Sequence, residues 1–150
     1  MESHFYQVNV TWSSDRKGTM CSPELSAVSN GAGCLEVATP PEFPKGIPGI
    51  WSPEHLFTAA VSSCLMTTFL AIAENAKLDF RAFECKSKGK LELVNGKFLM
   101  TEILLEPFVA INHEGDRERT EKILHKAESA CLITNSVKSR VIMSPTITIQ

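Results

Sequence analysis

From Leu56 to Ala73 the chain runs eighteen residues without a charge, apolar or hydroxylated at every position. That stretch limits what the rest of the molecule can be. It opens as a helix does, with Ser52 as N-cap, Pro53 in the first turn and Glu54 beside it. A helix with no polar face is expected to be buried all round. Its length would also reach across a membrane. Five of the eighteen residues, however, are Ser or Thr, and no Lys or Arg flanks the stretch closely. Burial inside protein is therefore expected, not in lipid. At the middle of the helix sits a single thiol, Cys64.

The flanking segments read as strands. Tyr6, Val8, Val10 and Trp12 alternate with polar residues, the pattern of a half-buried strand. Ser13 to Gly18 reads as a turn, with Gly18 available for a positive φ. Thr19–Leu25 and Leu35–Ala38 supply two more strands around a turn at Ser29–Gly33. Residues 40–53 hold five of the eight prolines. They form a connector that cannot join a central strand. Its Phe43, Ile47, Ile50 and Trp51 either pack on the core or form an apolar wall beside the helix start, and both readings can hold together.

Beyond the long helix, Arg81–Val94 alternates with Glu84, Lys86, Lys88, Lys90 and Glu92 on one side and Phe83, Cys85, Leu91 and Leu93 on the other. Asn95-Gly96 is a hairpin signal, and Lys97–Ile111 returns. Asp116 to about Cys131 reads as a second helix capped by Asp116. Its apolar positions Ile123, Leu124, Ala127, Ala130 and Cys131 share one face. Leu132–Ser136 is a turn, and Val137–Gln150 ends as a strand interrupted at Pro145. The order of strands, long helix, hairpin, helix and strand is that of an α+β domain, a single one at this length.

A net charge of −2 with no block of like charge gives no reason to expect nucleic acid. The N-terminus lacks the basic and apolar regions of a secretory signal. Five cysteines, an odd number, then suggest a reducing, cytoplasmic setting without a disulfide framework. Cys21, Cys34 and Cys85 are expected to be packing or surface thiols. His4, His55, His113 and His125 fall in no metal-ligand spacing, so no metal site is expected. His55 is expected at the surface of the helix start.

Ser52 to Cys64, a Pro-Glu, an apolar pair, small residues and then Cys, resembles the helix signature of the OsmC/Ohr superfamily of osmotically inducible and organic hydroperoxide resistance proteins. Ala130-Cys131-Leu132-Ile133-Thr134-Asn135-Ser136 resembles its second signature, although the family usually has Pro where this chain has Leu132. The element order, the Asn-Gly hairpin and the turn from Trp12 to Gly18 fit the same pattern. The resemblance implies antiparallel sheets around a long buried helix in an intertwined homodimer, with active sites at the subunit interface. It further implies a thiol peroxidase that reduces organic hydroperoxides without metal, haem or flavin. Cys64 then matches the peroxidatic cysteine, Cys131 the resolving one, and Glu54 the family glutamate. Arg16 matches the N-terminal arginine, with Lys17 as its rival. A dithiol of lipoyl type is the implied reductant. Phe43, Ile47, Ile50 and Trp51 would favour an apolar hydroperoxide. The competing reading is a non-enzymatic OsmC-like protein that binds a small apolar ligand or senses oxidants.

The chemistry calls for these residue types. Only a thiolate attacks a peroxide, and burial in an apolar helix raises a thiol pKa, so a cation such as Arg16 is expected to counteract it. Glu54 would orient the guanidinium through a bidentate pair. Glu54 and Cys64 lie ten residues apart, about 15 Å along a continuous helix and roughly 80° around it. They cannot touch directly within one chain. Either the long Arg16 side chain bridges much of that gap, or Glu54 serves the Cys64 of a second copy, and the second arrangement is the one expected.

Overall fold

The computed structural model describes residues 1–28 and 33–150, in two compact units, Met1–Leu56 and Phe57–Gln150. The turn expected at Ser29–Gly33 lies outside the described residues except for Gly33.

The first unit holds a three-stranded antiparallel sheet in the order β1 (Asn9–Ser14), β2 (Lys17–Cys21) and β3 (Cys34–Ala38). The β1–β2 turn departs from expectation. Asp15, not Gly18, takes the positive φ, at 47°. Gly18 is needed for space: a Cβ there would lie 2.6 Å from the Thr11 carbonyl oxygen across the ladder. β1 begins only at Asn9, and all six of its residues are exposed, with Val10 at 66% and Trp12 at 75%. The alternation correctly marks a strand with one apolar face, but β1 is an edge strand and none of the described residues of this unit covers that face. The second expected strand stops at Cys21. Pro23 cannot donate to a ladder, and Pro23–Ser26 forms a one-turn helix, α1.

The proline segment folds on itself. Phe43 N–H donates to Pro40 C=O at 3.1 Å and Gly46 N–H to Phe43 C=O at 3.0 Å. Ile47 N–H returns to Thr39 C=O at 2.9 Å, and Ala38 N–H donates to Trp51 C=O at 2.9 Å. Each proline falls where no N–H is required, so the connector is stiff and lies against β3.

The long helix, α2, runs Pro53–Asn75. Its start is a reciprocal cap: His55 N–H donates to Ser52 Oγ at 3.2 Å, while the His55 Nδ1 accepts from Ser52 N–H at 3.3 Å and lies 2.7 Å from Ser52 Oγ. Histidine thus fills the third-position role that Glu or Gln has in a capping box. Length and composition alone would let α2 cross a membrane.

In the second unit, α2 is not buried all round. Val61, Leu65, Phe69 and Ala73, spaced four apart, are fully buried, whereas Met66 and Leu70 are 39% and 40% exposed. The i, i+4 stripe meets the unit's sheet, and the opposite apolar face, with Met66 and Leu70, is left partly exposed. Phe69 stacks on Phe83 at 4.9 Å and meets Phe80 edge-on at 5.3 Å between centroids. The close approach of helix to sheet depends on Gly89, where a Cβ would fall 2.2 Å from Thr58 Oγ1.

That sheet is built on β4 (Phe80–Val94) and β5 (Lys97–Ile111), an antiparallel hairpin. Asn95 and Gly96 both take positive φ, 49° and 77°, as a type I′ turn requires. A register shift at Lys90/Leu91 interrupts the expected alternation, and Leu93 is 63% exposed rather than turned inward. The C-terminal segment departs from the antiparallel expectation. β6 (Arg140–Met143) and β7 (Thr146–Ile149) both run parallel to β5, one beyond the other along the same edge. Pro145 sits in the gap between their ladders, where its missing N–H costs no bond. A parallel return needs a crossover, supplied by α3 (Arg117–Ala130). Its buried face is Thr120, Ile123, Leu124 and Ala127. Asp116 precedes the helix without a side-chain cap bond, and Ala130 is exposed at the last position.

Candidate functional site

α2 and α3 face one core, and each brings a cysteine to it. Cys64 lies on the buried stripe beside Leu65, 9% exposed; Cys131, just past the end of α3, is fully buried. The Cys131 backbone leaves the helix in an extended conformation, φ −65° and ψ 110°. The freed carbonyls behind it are tied off locally: Asn135 N–H donates to Cys131 C=O at 3.0 Å. Asn135 Nδ2 donates to Ser129 C=O at 3.2 Å and Ser136 Oγ to Leu132 C=O at 2.7 Å. The Asn and Ser that follow the second cysteine thus close the turn that holds it.

The two thiols are shifted in opposite directions. Burial pushes the Cys64 thiol up. Hydrogen bonds from the Cys131 thiol, the Ile133 N–H, the Thr68 hydroxyl and the Leu132 N–H outweigh that and bring it below the ordinary value. Burial also pushes Cys131 up, the facing Cys64 pushes it further, and the Thr134 donors offset this only in part. Of the two, Cys64 is the more acidic. Within this unit the counterweight to burial is thus hydrogen bonding, where the sequence suggested a cation. Thr68, with Oγ1 3.9 Å from Cys64 Sγ, was findable as the residue four places after Cys64. The Leu132 and Ile133 donors are backbone groups and carry no side-chain signal. Leu132 keeps an N–H that the usual proline would lack.

The remaining expected site residues belong to the first unit. Glu54 and Phe43 line a cavity of about 410 Å³ with Val37, Ala38, Thr39, Pro40 and Pro53. The Arg16 C=O accepts from Thr39 N–H at 3.1 Å, so its backbone adjoins the cavity wall. The Arg16 residue is exposed, while Lys17 is held by Glu36 at 3.4 Å. Ile50 and Trp51 line a separate cavity of about 280 Å³ with Gly49 and His55, and Ile47 lines neither. Three of the four apolar residues therefore divide between two recesses, and the fourth, Ile47, lies outside both.

Two cysteines expected as free thiols are not free. Cys21 and Cys34 form a disulfide. They stand directly opposite in the β2–β3 ladder, with Ser22 N–H donating to Gly33 C=O just beyond them. They are thus a non-hydrogen-bonded pair, the position where opposite side chains come closest. The odd cysteine count divides into one bonded pair and three free thiols, Cys64, Cys85 and Cys131. Only the strand register, invisible to a count, reveals this.

Residues 46–145 match the family model described as OsmC-like protein. The Bacillus subtilis (strain 168) protein named Uncharacterized protein YmaD is 22% identical over 144 residues, 94% of this chain and 91% of that one. A solved structure of an OsmC-like protein of unknown function from Vibrio cholerae is similar with a TM-score of 0.82 at 24% identity, over 95% of this chain and 99% of that chain. The organic hydroperoxide resistance protein OsmC from Legionella pneumophila has a TM-score of 0.70 at 19% identity, over 99% of both chains. The two sheets and the long helix are thus the fold of that group, and the chain belongs to the OsmC-like family.

Proposed function

We propose that this protein is a thiol peroxidase that reduces organic hydroperoxides to alcohols. The observation that carries the reading is the opposed shift of the two facing thiols, Cys64 down and Cys131 up. The Cys64 thiolate attacks the outer peroxide oxygen, the O–O bond breaks, and the alkoxide leaves and takes a proton. Cys64 is left as a sulfenic acid. The Cys131 thiol then attacks the Cys64 sulfur, releasing water and closing a disulfide. An external dithiol, of the lipoyl type in our reading, restores both thiols by exchange.

In this account Arg16 stabilises the leaving alkoxide and Glu54 orients it, with the Phe43 cavity taking the organic part of the substrate. The engagement of Lys17 by Glu36 favours Arg16 over its neighbour. The active form is a homodimer, in which each Glu54 serves the other copy's Cys64. The uncovered apolar face of β1 and the exposed Met66 and Leu70 of α2 support a second copy as their cover. The test is consumption of cumene hydroperoxide with dihydrolipoamide by the wild type and by Cys64→Ser and Cys131→Ser. Full activity in Cys64→Ser, or in a dissociated folded monomer, would overturn the corresponding part.

A further inference from the structure

The Cys21–Cys34 link lies in the first unit, and the peroxidase reading gives it no role. It joins the last residues of the β2–β3 ladder. Inside it, four further residue pairs from Lys17↔Ala38 to Met20↔Leu35 hold the strands together, so their pairing does not need the bond. Directly after Cys21 comes α1, which has no buried residue and no side-chain cap at Ser22. α1 is in turn a support for the N-terminal segment, because the Gln7 N–H donates to Glu24 Oε1 at 3.0 Å. Leu25 and Val28 are 56% and 83% exposed, so little apolar burial holds α1 in place. The two residues also differ in exposure: Cys34 is exposed and Cys21 half-buried. An exposed disulfide is open to attack by a solvent thiolate, whereas a buried one is not. The same chain keeps three other cysteines as thiols.

We propose that Cys21–Cys34 is a second, reversible thiol–disulfide exchange site, taking small dithiols from solvent and clamping α1 while oxidised. One thiolate of the dithiol attacks the sulfur of Cys34, the more exposed of the two residues. The Cys21–Cys34 bond breaks and Cys21 leaves as a thiolate that takes a proton. The second thiolate of the dithiol then attacks its own sulfur in the mixed disulfide. It closes a cyclic disulfide and releases Cys34, which is protonated in turn. Two electrons and two protons pass to the protein, and an oxidised dithiol drives the reverse.

Both cysteines fall in one tryptic peptide, Gly18 to Lys45, so the pair reads as an unlabelled or a doubly labelled peptide. The experiment equilibrates the native protein at graded ratios of dihydrolipoamide to lipoamide, labels it with N-ethylmaleimide, and measures chymotryptic cleavage after Leu25 in parallel. The expected result is joint labelling that reverses with the ratio, with cleavage after Leu25 at least about fivefold faster in the reduced form. Cys21→Ser/Cys34→Ser should show the faster cleavage at every ratio. A pair that stays unlabelled at all ratios without denaturant is a fixed link, and a pair labelled fully at every ratio forms no link. Either result, or cleavage that ignores the redox state, overturns the proposal. None of these readouts depends on peroxide turnover.

Discussion

Cys64 and Cys131 come from two helices that face one core; Cys21 and Cys34 stand opposite each other on neighbouring strands at a sheet's open end. The helical pair is buried, reduced and hydrogen-bonded, with its two thiols shifted in opposite directions. The strand pair is bonded and partly exposed. The difference shows what a redox-active thiol needs from a fold. Helix packing sets donors around Cys64 that bring its pKa down, which in the proposed function is what activates its sulfur while still reduced. A β ladder offers only proximity, which is enough to join two sulfurs and gives no reason for either to be the nucleophile.

The sharpest way to break this comparison is to remove one sulfur from each pair. Cys64→Ser should lower hydroperoxide turnover by at least about 1,000-fold, since the nucleophile is lost, while Cys34→Ser should leave it within about twofold. Comparable losses in both would mean that the two pairs are not separate. The next largest effect tests the packing that sets up the helical pair. Phe69→Ala removes a fully buried ring stacked on Phe83 and should cost about 3–5 kcal/mol in urea unfolding. For the strand pair, the loop spans a sequence separation of 13. Cys21→Ser/Cys34→Ser should therefore lose about 3 kcal/mol relative to the oxidised wild type, and nothing relative to the reduced wild type.

A smaller effect sharpens the role of the donors. Alkylation by iodoacetamide proceeds through the thiolate, so its rate climbs with pH and levels off above the folded pKa. Cys64, held below the ordinary thiol value, should level off at lower pH than Cys85, which burial pushes up. Cys131→Ala removes the strongest of the lowering hydrogen bonds. It should move the Cys64 inflection upward and slow alkylation at pH 7 by about three- to tenfold. Thr68→Val should do the same to a lesser degree. An inflection that stays in place in both variants would show that the donors do not set it.

What the sequence made legible was local. The cap at Ser52, the face of α3 through Ile123, Leu124 and Ala127, and the Asn95-Gly96 turn each follow from spacing within a few residues. So does the second cysteine motif, whose Asn135 and Ser136 close the turn behind Cys131. Long-range relations were hidden. The Cys21–Cys34 bond depends on strand register, and the parallel docking of β6 and β7 depends on the path of α3. The exposed faces of β1 and α2 are apolar in sequence, and a hydrophobic pattern says that a face wants covering without saying what covers it. Of the expected site, two helix faces that share a core suggested that the thiols could meet, and the family resemblance alone paired them. The backbone donors of Leu132 and Ile133 could not, because any residue presents the same N–H.

The most direct test counts thiols in the native protein, with Cys21–Cys34 oxidised, before and after one equivalent of an organic hydroperoxide. Three free thiols should fall to one, Cys85, with a Cys64–Cys131 linked peptide recovered by mass spectrometry. A count that stays at three, or a Cys64 joined to any other partner, would contradict the assignment of the facing thiols as one redox pair.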